Sequence, residues 1–258
     1  MAIEEGTMVE NIKRLVNKKS FHLCMVIVII AIILFSLGII ALKYSVEGET
    51  NMPFNLEKIA IISSSEGRDK TNEQYKWAFD VNQNNDVFLY IKKNDKYGKQ
   101  EIIDSIVIDN INVEKENEKG VIKFYKPEQD EGKTMFNNSE ENAINNIEFT
   151  GDMKSNLKQL KISNQGGIVA FRYANDELAE YLSNDEEINH NELLKKVNLS
   201  EGDLKSKLSF DVTIKLKSGK DYKANISLDV PVEGILEEGT TSREITDMKD
   251  IVFKRIKN

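Results

Sequence analysis

Two kinds of hydrophobic pattern divide the chain. From Leu23 to Leu42 it reads LCMVIVIIAIILFSLGIIAL, without a charge or a proline. Beyond residue 57, apolar residues mostly alternate with polar ones. Twenty helical residues rise about 30 Å, the thickness of a bilayer's hydrocarbon core. The first pattern therefore predicts a transmembrane helix over 21–43, with the lipid bilayer as its partner through 23–42. Lys13, Arg14, Lys18 and Lys19 precede the run, whereas Lys43 follows it alone, ahead of Glu47 and Glu49. Basic residues favour the cytoplasmic side, so 1–20 reads as a cytoplasmic tail and 44–258 as extracytoplasmic. The run is longer than a signal peptide's apolar region and is followed by Lys43-Tyr44-Ser45 where a cleavage site needs small residues of A-x-A type, which predicts an uncleaved single-pass signal-anchor in the cell membrane. Gly48 and Pro53 mark 44–56 as a linker, and 57–258 as the β-rich domain.

The second pattern predicts strands. Lys58 to Ser63 is a first apolar strand, and Ser64 to Asn72 a polar loop. Tyr75, Trp77, Phe79 and Val81 share a parity with Val87, Leu89 and Ile91. The five residues Asn82 to Asp86 between them predict a hairpin turn, with Trp77 as an inward core residue. Further strands are expected within 101–113, 121–125, 144–149, 157–162, 168–173 and 251–256. Lys126 to Asn142 reads as the longest loop, tacked down by Met135 and Phe136. Leu178, Tyr181 and Leu182 suggest a short helix over 176–182; Leu193, Leu194 and Val197 suggest another over 191–199.

The strongest local signal is Leu208 to Val230. Leu208, Phe210, Val212, Ile214 and Leu216 alternate, as do Tyr222, Ala224, Ile226, Leu228 and Val230. Lys217-Ser218-Gly219 joins them as a three-residue turn, with Gly219 free to adopt positive φ. This register sets Phe210 opposite Ile226 and Ile214 opposite Tyr222, with every apolar side chain on one face. No βαβ rhythm is present. The fold class expected is mainly β: an N-terminal transmembrane helix, then an antiparallel β-sandwich of Ig-like or jelly-roll style with two short helices. Two smaller β-domains meeting near 126–143 are the alternative.

Composition narrows the chemistry. The formal charge is −8, and the acidic excess lies after the apolar run, which argues against nonspecific nucleic-acid binding. Cys24 is the only cysteine, so no disulfide is expected. The two histidines, His22 and His190, are too few for a zinc site or a convincing catalytic triad. Asp80, Asn82, Asn84 and Asp86 place oxygens at every second position, like the first half of an EF-hand loop. Asn85 stands where that loop needs Gly and Ile91 where it needs Glu, so these four form only a weak calcium candidate. Gly166-Gly167 reads as a turn before a strand. No cofactor is expected.

A basic tail, an uncleaved anchor and an acidic, Asn-rich β-domain together resemble membrane-anchored surface proteins of low-GC Gram-positive bacteria. Phrases such as Tyr44-Ser45-Val46-Glu47-Gly48 and Trp77-Ala78-Phe79-Asp80 carry the likeness. The resemblance implies a location and no activity. The expected role is a noncatalytic binding or assembly module of the cell envelope, with another envelope protein or a cell-wall polymer as partner. An enzyme acting on envelope carbohydrate or peptide, or a sensor subunit of a membrane complex, are the alternatives.

Overall fold

The computed structural model describes residues 19–50, 52–128, 134–151, 162–163 and 165–256. The chain divides into two units, Met1–Glu47 and Gly48–Asn258. Helix α1 spans Lys19–Thr50, all but its last three residues in the first unit, and its side chains from 25 to 40 are exposed. Among the described residues, no helix is long and apolar enough to cross a membrane. This overturns the transmembrane helix expected over 21–43, and the single-pass signal-anchor with it. The segment 44–56 also differs from the expected linker, because α1 continues to Thr50 and the first strand begins at Phe54.

The second unit is built from ten strands among the described residues. They are β1 (Phe54–Asp69), β2 (Trp77–Lys93), β3 (Ile103–Lys115), β4 (Val121–Tyr125), β5 (Ile147–Thr150), β6 (Gly166–Ser183), β7 (Ser206–Leu216), β8 (Asp221–Asp229), β9 (Thr240–Ile245) and β10 (Lys254–Ile256). Two five-stranded sheets result, in the orders β4-β6-β2-β1-β9 and β10-β8-β7-β3-β5. Every pairing is antiparallel. The inner face of the first sheet is laid out in rows across β1, β2 and β6, such as Ile59–Leu89–Val169 and Ile61–Val87–Phe171. The second sheet offers Ile106, Ile108, Leu208, Phe210, Val212 and Ile214 to the same core. Phe171 and Phe210 meet edge to face at 5.1 Å between ring centres, which ties the two layers together. Burying each such side chain contributes about 1.5–3 kcal/mol, so these rows dominate the stability of the sandwich.

The β7–β8 hairpin has the predicted register. Leu208 faces Leu228, Phe210 faces Ile226 and Ile214 faces Tyr222. Gly219 takes φ +78 in the turn, where a backbone bond from Leu216 N–H to the Lys220 carbonyl closes the loop. Phe136 is buried against Ala170, with Met135 beside it, so the expected loop is held down at these two residues, where its apolar side chains suggested.

Three other elements differ from expectation. Residues 64–69 extend β1 as a strand instead of a loop. Residues 82–86 are the middle of one continuous strand and make no turn. Their polar side chains suggested a turn, but they bond sideways to β1, β6 and the 134–142 segment. Residues 176–182 belong to β6. Between Asn175 and Ala179, β6 bulges against β2, and Glu177 takes φ +56. The bulge resets the strand's phase, so Leu178 and Tyr181 are both buried at a spacing of three. That spacing imitates a helix.

Trp77 is only partly buried, at the margin of a second apolar cluster. Its indole N–H donates to the Asp185 carbonyl at 3.0 Å. The expected 157–162 strand lies mostly outside the described residues. The expected 191–199 helix is a 3-10 turn at His190–Glu192 running into a helical turn at Leu193–Lys196.

Candidate functional site

The inner face of the first sheet changes character along β2. Val87, Leu89 and Ile91 are apolar, Asn85 and Gln83 are polar, and Val81 and Phe79 are apolar again. Strand parity brings these residues to one face. The paired rows carry the change across the sheet: Ser63–Asn85–Tyr173, then Ser65–Gln83–Asn175. A polar band therefore separates the main core from a second apolar cluster, where Phe79, Val81 and Tyr181 meet Leu193, Leu194, Leu204, Val232 and Ile235.

Ser63, Gln83, Asn85 and Asn175 are each 0% exposed. Burying an amide costs free energy unless its hydrogen bonds are restored. Part of that restoration is present. The Ser63 hydroxyl donates to Asn85 Oδ1 at 2.6 Å, and Asn85 Nδ2 donates to the Tyr173 carbonyl at 3.3 Å. Gln83 Nε2 reaches Asn85 Oδ1 at 3.4 Å. Two atoms of the band have no hydrogen-bond partner among the described residues: the acceptor Gln83 Oε1 and the donor Asn175 Nδ2. Their residues face each other across β2 and β6.

A cleft of about 580 Å³ opens beside the band, at the end of β3 and the start of β7. Glu114, Lys115, Glu116, Lys205, Lys207, Asp229, Glu233 and Arg243 supply its charges, four of each sign. Two lining residues lead inward. Ser206 accepts from the Tyr173 hydroxyl at 3.3 Å, and Lys115 Nζ donates to Asn175 Oδ1 at 3.0 Å. Lys115 Nζ also donates to the Lys119 carbonyl. An ammonium has three donors, so one of the three is left. No carboxylate among the described residues pairs with it. Burial accordingly holds the Lys115 ammonium below its usual pKa. Burial also pushes the Tyr173 hydroxyl up to about 12, so it stays a neutral donor. At the rim, backbone N–H groups of Glu233 and Val232 hold the Glu233 carboxyl below its usual range, helped by Arg243 and Lys205.

The four residues of the weak calcium candidate lie on the opposite, outer face of the first sheet. Asp80 is 3.1 Å from Lys70 Nζ. Asn82 Oδ1 accepts from the Glu177 N–H at 2.7 Å. Asn84 donates to Glu66 at 2.6 Å and accepts from Asn138 at 2.9 Å. Asp86 takes two bonds from Arg172, at 2.6 and 3.0 Å. Alternate residues of a strand stand about 6.6–6.8 Å apart, so the four are strung along β2 and do not converge on one point. Among the described residues, no group of three or more His, Cys, Asp or Glu is placed to hold a metal. His190 is exposed and lies beside the Phe79 ring.

The cleft residues Lys115, Ser206 and Arg243 and the amides Gln83 and Asn175 were not singled out by the sequence. A signal was there: once 81–87 is a strand, Gln83 and Asn85 interrupt an apolar parity. No family model matches the chain, and no curated protein or solved structure matches it either.

Proposed function

We propose that the chain is a noncatalytic binding module and that the cleft beside the polar band is its ligand site. The observation that supports this reading is Lys115, a partly desolvated cation whose protein partners are both neutral carbonyls, at the wall of a cleft of ligand-binding size. A cation in that setting is stabilised by an incoming anion more than by water, because the local dielectric is lower. The surrounding charges of both signs suit a polar ligand over an apolar one.

The experiment is a thermal-shift screen of the full chain against peptides, sugars and inorganic anions, followed by hydrogen-exchange mass spectrometry of each hit. A ligand that binds only the folded state raises the midpoint in proportion to occupancy. Protection is expected at 114–116, 205–207 and 229–233. Protection instead at Ala60, Ile62, Phe88 and Tyr90, which line a depression of about 210 Å³ on the outer face, would make that face the binding surface. Conversion of a hit to product would replace binding by catalysis.

A further inference from the structure

One border of the cleft is the edge of a sheet, and that edge restricts the class of ligand, given the binding reading above. β9 pairs with β1 and, among the described residues, with no other strand. Along 241–245, no backbone hydrogen bond besides that pairing forms among the described residues. In an antiparallel pair, every second residue turns its N–H and C=O away from the partner strand. β9 therefore offers a short open ladder to a further chain, and Ser242, Arg243 and Glu244 along it are exposed.

The two faces of this edge open onto different cavities. Arg243 stands opposite Ile61, a core residue, so it shares the inner face and lines the cleft of about 580 Å³. Ser242 and Glu244 stand opposite Ile62 and Ala60 on the outer face, where they line the depression of about 210 Å³ with Phe88 and Tyr90. A strand laid along β9 sends successive side chains to alternate faces. One set meets the cleft and the other the depression. Charge then selects among such strands. The cleft's charges balance in sign, so Arg243, its one lining residue on β9, decides. Glu244 is held by Lys58 at 2.6 Å, whereas Arg243 has no ion-pair partner among the described residues. Opposite charges directly across a ladder attract, and like charges repel. We propose that the site takes an extended segment of another polypeptide, added to the first sheet along β9, with an acidic residue opposite Arg243 and apolar residues on either side of it. A second copy of this chain fits less well. Directly opposed residues share a face, so a two-fold axis sets Arg243 opposite Thr241, Arg243 or Ile245 of the copy's β9, never opposite an acid of that strand. The charges of Arg243 and Glu244 also keep indiscriminate chains off so short an edge.

The test uses the full chain and the acetylated, amidated peptide Thr-Val-Glu-Val-Thr in titration calorimetry, with hydrogen-exchange mass spectrometry of the complex. Saturable binding is expected, with added protection at 241–245, 205–207 and 229–233. Replacing the peptide's Glu by Lys should weaken binding roughly threefold or more. Two N-methylated peptides separate a ladder from side-chain contact: one methylated on both Val nitrogens, the other on the Glu and final Thr nitrogens. Only one of the two sets of N–H groups faces β9, so one peptide should bind like the parent and the other should not. Arg243→Glu should reverse the preference and favour the Lys peptide. A folding defect does not produce that reversal, because an unfolded fraction weakens both peptides equally. Equal binding of the Glu and Lys peptides to the unmodified protein overturns the proposal. So does equal binding of the two methylated peptides, or a preference for Glu that survives Arg243→Glu. If 241–245 is fully protected in the free protein, the edge is covered by this chain in a monomer, or by a second copy in a dimer seen by sedimentation, and the proposal falls. If inorganic phosphate or a sugar protects 114–116 and 205–207 while no peptide binds, the strand assignment falls and the binding reading stands. If no probe or screened ligand protects any of these segments, both fall.

Discussion

Phe210 offers the sharpest test of how the sandwich is held together. It is 0% exposed, sits opposite Ile226 in the β7–β8 hairpin, and meets Phe171 of the other sheet edge on. Phe210→Ala removes a ring from between two layers that backbone hydrogen bonds keep from closing on the gap. Such truncations cost about 3–5 kcal/mol, the transfer of the ring plus the cavity it leaves. The aromatic pair itself accounts for about 0.5–1.5 kcal/mol of that. A double-mutant cycle with Phe210→Leu and Phe171→Leu isolates this share. Lys215→Ala is the control. It lies on the same strand but out of phase, with its ammonium 3.0 Å from Glu148 in a solvent-exposed pair. An exposed pair is worth about 0–1 kcal/mol. Urea unfolding of these variants, read as midpoint and slope, gives the numbers. A cost below about 1 kcal/mol at Phe210 would refute the reasoning, given the truncation range above. So would a cost at Lys215 equal to it.

Other positions are open to similar tests. Asp203 closes a capping box with Ser200 and lies 2.7 Å from Lys119 Nζ, and these contacts pull its carboxyl down to about 2. A carboxyl lowered by folding stabilises above its unfolded value, and that contribution is lost as pH falls through the folded one. Between about pH 4 and 2, then, Asp203→Asn should lose less stability than the unmodified chain. At neutral pH, Ser200→Ala should cost about 1 kcal/mol by thermal melting. Gly166 has φ +105, and an added Cβ would stand 2.1 Å from the Ile91 carbonyl oxygen, whereas Gly219 at φ +78 has open space around it. Gly166→Ala should therefore lower the melting midpoint more than Gly219→Ala, whose cost is about 1–2 kcal/mol of backbone strain. Equal shifts would contradict the packing at β6's start. Phe136→Ala should speed hydrogen exchange in 134–142 while leaving the β7–β8 hairpin unchanged, because its contacts lie with Ala170 and the Arg172 guanidinium.

What the sequence disclosed follows from which forces are local. The β7–β8 hairpin was legible down to its register, because an unbroken alternation and a Gly-containing turn specify it without reference to the rest of the chain. Val121–Tyr125 was legible from the Lys119-Gly120 turn that precedes its run of β-branched and aromatic residues. β2 was not. Its centre, Asn82 to Asp86, has the composition of a turn, and only neighbours distant in sequence reveal why it runs straight: Ser63 on one side, and Tyr173 and Glu177 on the other. The 176–182 segment misled through the bulge, which gave a strand the spacing of a helix. The apolar run 23–42 announced a helix correctly in kind, and Lys19–Thr50 is one. The candidate cleft was hidden because its parts come from β3, β7, β9 and the segment after β8, each unremarkable alone. Lys115 looks like any lysine at the end of a strand until Asn175 is brought to it.

The pairing of β1 with β9 has a consequence for how the protein is made. Ile59 to Ser64 hydrogen-bond on one side to β2, which follows within a few tens of residues, and on the other to Thr240–Ile245 near the end of the chain. A ribosome adding about 5–20 residues per second needs on the order of 10–35 s to travel that distance. Throughout this interval, the nascent first sheet presents β1 as an open edge, its N–H and C=O groups free to pair with a neighbouring chain. Chains terminated before Thr240 would keep that edge for good, and should collect in the insoluble fraction even though most of the sandwich has been synthesised.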